Sequence, residues 1–282
     1  MGVLTNIANI MVFYRQGFKS SVNIGLTGLA VSDLCGLLTL PWYNPIVCLS
    51  LPNSAANIFS TEVKQLTSGF PHACFTRITA WITVMLTAER CACIWAPLTF
   101  KGVITTRRVK LTVGLVYVLM IASLLPEYTT AYLDWKFYPS FNTTLIGLVV
   151  TANRKYTEGL SFLLYAIYVL VSFPSVIFFT SVLVAKLTQK TNKRAALSHD
   201  RSQNEAISRR NKKTITMVAG VACVFIVTFV PTFVICLHAF VQPSNTPTSN
   251  DLMWLAVSVM FAFDALNATV NIVTYYTMSS RY

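Results

Sequence analysis

Asp33, His72, Arg77, Glu89, Arg90 and Asp264 all fall inside, or at the ends of, long apolar runs. Ionisable groups in such surroundings are costly and persist where they pair, hold an ion or act on a partner. The chemistry open to them is ion binding and charge pairing rather than bond-making. His72, His199 and His238 are scattered, and no nucleophile or metal pair stands near them. The strongest signal is the stretch Arg77–Leu98, RITAWITVMLTAERCACIWAPL, in which a lipid-length run ends in Glu89-Arg90 and then Pro97. Counting back from Arg90, Leu86, Thr83, Thr79, Thr76 and His72 recur every three or four residues, so one face of a helix carries the polar groups. A threonine at this spacing can also bond back to its own helix carbonyls. The ordered stripe ending in Glu-Arg is what marks the face.

Composition places these groups in a membrane. The 282 residues are 54% hydrophobic and 11% charged, with a mean hydropathy of +0.58, whereas soluble domains carry about 25% charged residues. The net charge of +12 does not indicate a nucleic-acid partner, because the basic residues sit in short loops between apolar runs rather than in an aromatic-laced stripe. Of the seven cysteines, Cys35, Cys74, Cys91, Cys93, Cys223 and Cys236 lie in or at the ends of apolar runs, with Cys48 near an outer end. No disulfide framework or metal-ligand spacing emerges, and the thiols read as small buried hydrophobes.

Runs long enough to cross a bilayer need about 20 apolar residues. They occur near 22–48, 66–96, 109–126, 159–187, 214–241 and 252–278, preceded by a shorter run at 2–14 that lacks the features of a signal peptide. The expectation is an all-α membrane protein, a single seven-transmembrane helix bundle over 1–282 with the first helix truncated. One set of loops holds sixteen basic residues, seventeen with Arg90; the other holds Lys64, Lys136, Arg154 and Lys155. The positive-inside bias makes the first set cytoplasmic, with the C-terminus inside. Asn142-Thr143-Thr144, a glycosylation sequon, falls on the side so assigned as outside. Lys190 to Lys213 is polar, basic and free of aromatics, which predicts a mobile cytoplasmic loop that meets membrane lipid or a protein partner.

Two further groups lie at membrane depth. Asp33 stands roughly 16 Å into the second span at 1.5 Å per residue, where a lone carboxylate must be paired, protonated or bound to an ion. Asp264, Asn267, Asn271 and Tyr275 follow one another at spacings that line one face of the last span. In the sixth span, Pro231 removes a helical hydrogen bond and supplies a hinge.

Thr87-Ala88-Glu89-Arg90-Cys91 with Pro97-Leu98 resembles the D/E-R-Y motif and second intracellular loop of rhodopsin-like (class A) G-protein-coupled receptors. Leu29-Ala30-Val31-Ser32-Asp33 resembles their LAxxD motif. Asn271-Ile272-Val273-Thr274-Tyr275 resembles NPxxY with Ile272 for proline, and Phe225 to Pro231 resembles FxxCWxP with Phe229 for tryptophan. Pro174 stands where the fifth span of the family has its proline. The resemblance covers nearly the whole chain and implies a plasma-membrane receptor with no enzyme activity. Its partners are an extracellular peptide or small-molecule ligand and a heterotrimeric G protein. It implies a sodium ion on Asp33, Thr79, Asn267 and Asn271, with Asn6 nearby; a neutral cluster around a protonated Asp33 satisfies the same residues. It further implies a ligand pocket at His72, Thr76, Arg77, Phe229 and Asp264, coupling through Glu89, Arg90 and Leu98, and a switch at Phe225, Pro231, Asn271 and Tyr275. Glu-Arg-Cys-x-Cys-Ile-x-x-Pro-Leu is most similar to invertebrate, chiefly molluscan, FMRFamide-type neuropeptide receptors and related chemosensory receptors.

The chain departs from the family pattern in several places. Gln65 stands where the family has a disulfide cysteine at the outer end of the third span, and Glu127 to Glu158 contains no cysteine. Val116 replaces the tryptophan of the fourth span and Val182 the tyrosine of the fifth. Ala265 in place of lysine disfavours an opsin, and His72 in place of aspartate disfavours an amine receptor. Arg77, buried by position, wants an acceptor, which either Asp264 or a ligand carboxylate can supply. The alternative function, a small-molecule transporter or channel, would call for broken helices in corresponding halves of the chain, and no such symmetry appears.

Overall fold

The computed structural model describes residues 1–43, 61–95, 100, 102, 104–139, 142–196, 202–241 and 250–278. Seven helices are packed as a bundle. Helix α1 runs Gly2–Gln16 and stops at Gly17, whose φ of 78° is open to glycine and strained for other residues. The Gly17 N–H reaches the carbonyls of Phe13 and Tyr14, and the chain reverses into α2, Ser21–Tyr43, within four residues. Helix α3 starts with the turn Thr61–Lys64, passes through a π-helical segment at Gln65–Gly69 and continues as Phe70–Trp95. Helix α4, Thr106–Ala122, is capped by the Thr105 hydroxyl, which accepts from the Arg108 N–H at 3.3 Å, and is extended outward by Leu125–Thr130. Helices α5, Arg154–Ala196, α6, Ser202–Val241, and α7, Asn250–Met278, complete the set.

Helix α3 packs against α2, α4, α5 and α6, while α7 packs against α1, α2 and α6 and so closes the ring. Leu26, Leu29, Ile78, Ile82, Leu86, Leu183 and Val218 form the inner seam, none more than 2% exposed. A second cluster joins α3, α5 and α6 through Ala80, Val169, Phe173, Val176, Ala222, Phe225 and Phe229. On α4 the large side chains Leu111, Leu115, Val118, Leu119 and Ile121 are exposed. Apolar residues turned outward in this way suit hydrocarbon, not water. Among the described residues, five segments are long and apolar enough to cross a membrane: Ser21–Leu40, Gln65–Trp95, Thr106–Thr130, Leu163–Lys186 and Ile215–His238. In α7 the apolar stretch Ala256–Ile272 is shorter.

One expectation needs correction. The stretch Lys190 to Lys213 is not a plain loop: α5 continues to Ala196 and α6 begins at Ser202. Lys, Arg, Gln and Ala propagate a helix well once a preceding helix has supplied the nucleus. Between α4 and α5 lies a hairpin, β1 Ala131–Tyr138 and β2 Thr143–Val150, antiparallel in the register Ala131↔Val150 to Tyr138↔Thr143. Asn142 makes its turn with φ 47° and is exposed, a conformation asparagine tolerates better than most residues.

The hairpin is held without a disulfide. The Tyr128 hydroxyl donates to the Leu66 carbonyl at 2.7 Å, fastening the outer end of α4 to the π-helical segment of α3. The Thr151 N–H donates to the Thr130 carbonyl at 2.9 Å, and the Thr130 and Thr157 hydroxyls meet at 3.0 Å. Arg154 at the start of α5 pairs with Glu127 at 2.8 Å, with side chains 13% and 6% exposed. Six described cysteines, Cys35, Cys74, Cys91, Cys93, Cys223 and Cys236, are free thiols.

Candidate functional site

The polar stripe of α3 faces α2 and α7. The Thr79 hydroxyl donates to Asp33 Oδ1 at 2.8 Å, and Asn271 Nδ2 donates to Asp33 Oδ2 at 2.8 Å. The Ser32 hydroxyl lies 2.8 Å from that of Thr79. Asn267 accepts from the Thr228 hydroxyl of α6 at 3.2 Å. Asn6 of α1 donates to the Ala268 carbonyl at 2.8 Å, which fastens α1 to α7 beside this cluster. Thr83, by contrast, bonds back to the Thr79 carbonyl at 2.8 Å. The stripe therefore divides, its outer threonines reaching across to other helices and its inner one serving its own.

A cavity opens beside Asp33, lined by Ser32, His72, Thr76, Thr79, Asp264 and Asn267 among others, with about 20 Å³ open to the centre of a water molecule. That is room for one or two waters or a desolvated cation. The chemistry of the donor set fits a hard cation: a carboxylate, two hydroxyls and amide oxygens. The buried Oδ1 of Asn271 has no hydrogen-bond partner among the described residues.

One turn further out, His72 Nε2 stands 3.3 Å from Asp264 Oδ2, and the Thr76 hydroxyl donates to the same oxygen at 3.4 Å. His72 Nδ1 lies 3.0 Å from the Gly36 carbonyl of α2, and the Phe261 ring meets the imidazole edge-on at 4.7 Å. This settles one alternative left open by the sequence: Asp264 is taken by His72 and Thr76, not by Arg77. Arg77 is 4% exposed. Its Nε donates to the Ala73 carbonyl at 3.1 Å, and its guanidinium lies 5.3 Å and 6.0 Å from the ring centres of Tyr165 and Tyr168 on α5. Among the described residues no carboxylate is within ion-pairing distance of it. Phe229 belongs to a third group, stacked on Phe225 at 4.6 Å and tilted against Phe173 at 6.0 Å. The five pocket residues read from the sequence are thus split: His72, Thr76 and Asp264 share the cavity, while Arg77 and Phe229 face α5 and the aromatic core.

At the inner end of α3, Arg90 is paired with Glu89, and the hydroxyl of Ser21, the first residue of α2, joins both. Ser21 donates to Glu89 and accepts from Arg90 Nη2, the latter at 3.1 Å. Ser21 and Ser32 were not singled out from the sequence. Ser32 lies within the LAxxD run, so that motif carried its signal; nothing in the sequence marks Ser21. Leu98 and Pro97 lie outside the described residues, as does the side chain of Tyr275, although its backbone continues α7. Pro231 sits inside α6, where it withholds a hydrogen bond from the Val227 carbonyl.

Seven packed helices, a lipid-facing exterior and a polar seam ending in a restrained Glu-Arg pair define a membrane receptor of the seven-helix class. The profile of the 7 transmembrane receptor (rhodopsin family) group matches residues 5–275, so the chain belongs to that family and is a G-protein-coupled receptor. It is similar to the mouse (Mus musculus) protein G-protein coupled receptor 35, with 24% identity over 283 residues that take in 100% of this chain and 82% of the mouse one. Family membership makes it a multi-pass plasma-membrane protein that signals for an extracellular ligand.

Proposed function

We propose that this receptor takes a peptide or small molecule bearing an anionic group between α3, α5 and α6, and passes the event to a heterotrimeric G protein through Arg90 and Leu98. Its basic loops and C-terminus face the cytoplasm, and Asn142, at the hairpin turn, carries a glycan outside. The single observation behind the ligand class is Arg77: a buried guanidinium flanked by two tyrosine faces, with no carboxylate partner among the described residues, has room for an anion. A neuropeptide or a chemosensory acid supplies one. The test is a ligand screen on cells expressing the chain, read by calcium and cyclic AMP, with matched acidic and amidated compounds. Acids should lead, and Arg77→Met should cost them roughly 30-fold or more in potency, about 2 kcal/mol. Amidated compounds that match their acids, with Arg77→Met indifferent, would overturn the ligand class.

In the same reading Asp33, Thr79, Asn267 and Asn271 hold a sodium ion, which supplies a positive charge against Asp33 and so ties α2, α3 and α7 together. The expected result for Asp33→Asn is loss of any sodium dependence of agonist affinity, measured in sodium against choline buffer. An unchanged salt response removes the ion site.

A further inference from the structure

Two lipid-facing stripes run into basic residues at one end of the bundle. On α1 the exposed Leu4, Ile7, Met11 and Tyr14 recur every three or four residues, and the exposed Arg15 follows them. On α4 the exposed Leu111, Leu115 and Val118 form a similar track, with Arg107, Arg108 and Lys110 exposed at its head. Helix α2 packs against both α1 and α4, so the two tracks flank it. The turn from α1 to α2 brings their ends together. The Lys110 ammonium lies 6.0 Å from the ring centre of Phe18, and the Tyr14 ring meets the Phe18 ring edge-on at 6.1 Å. Lys19, next in the chain, is exposed as well. This is the Arg90 end of the bundle, since Ser21 reaches Arg90 from the same turn.

Arg15, Lys19, Arg107, Arg108 and Lys110 thus share one corner. Glu89, at this end of α3, is engaged by Arg90 and Ser21. Among the described residues no carboxylate is within ion-pairing distance of Arg15, Lys19, Arg107 or Lys110. The first turn of α4 holds no acid, although the start of a helix favours one and makes cations there costly. We propose that this corner binds a phosphoinositide, a phospholipid whose inositol headgroup carries more than one phosphate. The phosphates lie on the basic residues and the acyl chains along the stripes of α4 and α1. A headgroup with several phosphates meets several cations at once through charge-assisted hydrogen bonds, which the single net charge of phosphatidylserine cannot do. A soluble phosphate would leave the apolar tracks unused. The leaflet is the cytoplasmic one on the orientation proposed above, and the proposal rests on that reading for the leaflet alone.

The test is native mass spectrometry of the purified full chain in detergent, with lipid adducts counted against lipid concentration. Phosphatidylinositol bisphosphate, phosphatidylserine and phosphatidylcholine of the same acyl chains are compared, and the bisphosphate should bind at the lowest concentration. Arg107→Gln with Lys110→Gln, and separately Arg15→Gln with Lys19→Gln, should each weaken it about 25-fold, at about fivefold per residue. Lys190→Gln with Lys193→Gln, on the basic extension of α5, should leave it within about twofold of the parent. Inositol trisphosphate, the headgroup without acyl chains, should compete poorly. The substituted residues of the corner are exposed, and the lipid series on the parent chain stands without any variant. Phosphatidylserine binding as well as the bisphosphate, either corner pair leaving affinity unchanged, an equal loss in the α5 pair, or the free headgroup competing as well as the lipid overturns the proposal. Detergent presents no leaflet, so a negative result counts against the site and leaves the orientation untouched.

Discussion

Arg90→Ala is expected to abolish agonist-driven signalling at matched surface expression, with calcium and cyclic AMP as the readouts. Arg90 sits at the membrane boundary, where a guanidinium can reach water or a partner's carbonyl. What holds it back lies on α3 and α2: Glu89, 7% exposed, and the Ser21 hydroxyl. Just inside its apolar span helix α6 carries Asn211 and Lys212, and neither is an acid that could add a second restraint. Among the described side chains the arginine is held by its own neighbours, Glu89 and Ser21. Glu89→Gln should raise basal activity only modestly, because Ser21 still accepts from Arg90. Loss of the arginine itself leaves nothing that can reach the G protein in its place, and lysine lacks the planar fork. Full signalling by Arg90→Ala would reopen the assignment of the coupling surface.

The second large effect concerns Glu127 and Arg154. Glu127 is buried and the Arg154 side chain is 13% exposed, so removing either strands a largely desolvated charge, at a cost of up to about 3 kcal/mol. Glu127→Gln or Arg154→Gln alone should sharply reduce surface expression, measured by labelling intact cells, while the double change should recover much of it. A reducing agent outside the cell should alter neither the parent nor the variants. Additive losses in the double variant would mean that the two residues act separately, not as a strut.

The sequence carried the bundle and the Asp33 cluster for the same reason. Spacings of three and four along α3 and α7 put Thr79, Asn267 and Asn271 on the faces that meet, and Asp33 had to be answered by something at that depth. The partner of Asp264 was harder. His72 and Arg77 lie on the same helix about 140° apart in azimuth, and the spacing within one helix does not say which side a second helix approaches from. Ser21 was invisible because an isolated serine at a helix start acquires meaning only from the helix that packs beside it. The inner extensions of α5 and α6 lack an apolar stripe in the sequence and so read as loop. The hairpin's alternation of Leu133, Trp135 and Phe137 is too short to tell a strand from a loop by pattern alone.

The lengths of α5 and α6 have a mechanical consequence. Helix α6 has 40 residues, about 60 Å of rod at 1.5 Å per residue, with its weakened point at Pro231. From there to Ser202 is roughly 44 Å, against about 24 Å to Ile215, where the apolar span begins. A tilt of about 10° at the proline carries the membrane edge some 4 Å and the far tip nearly twice that, by the ratio of the two arms. Such a stiff lever converts a rotation too small to disturb the core into a displacement wide enough to admit or exclude a helix. Gain is then set by how many residues beyond Ile215 stay helical. Shortening that arm changes the stroke without touching the ligand.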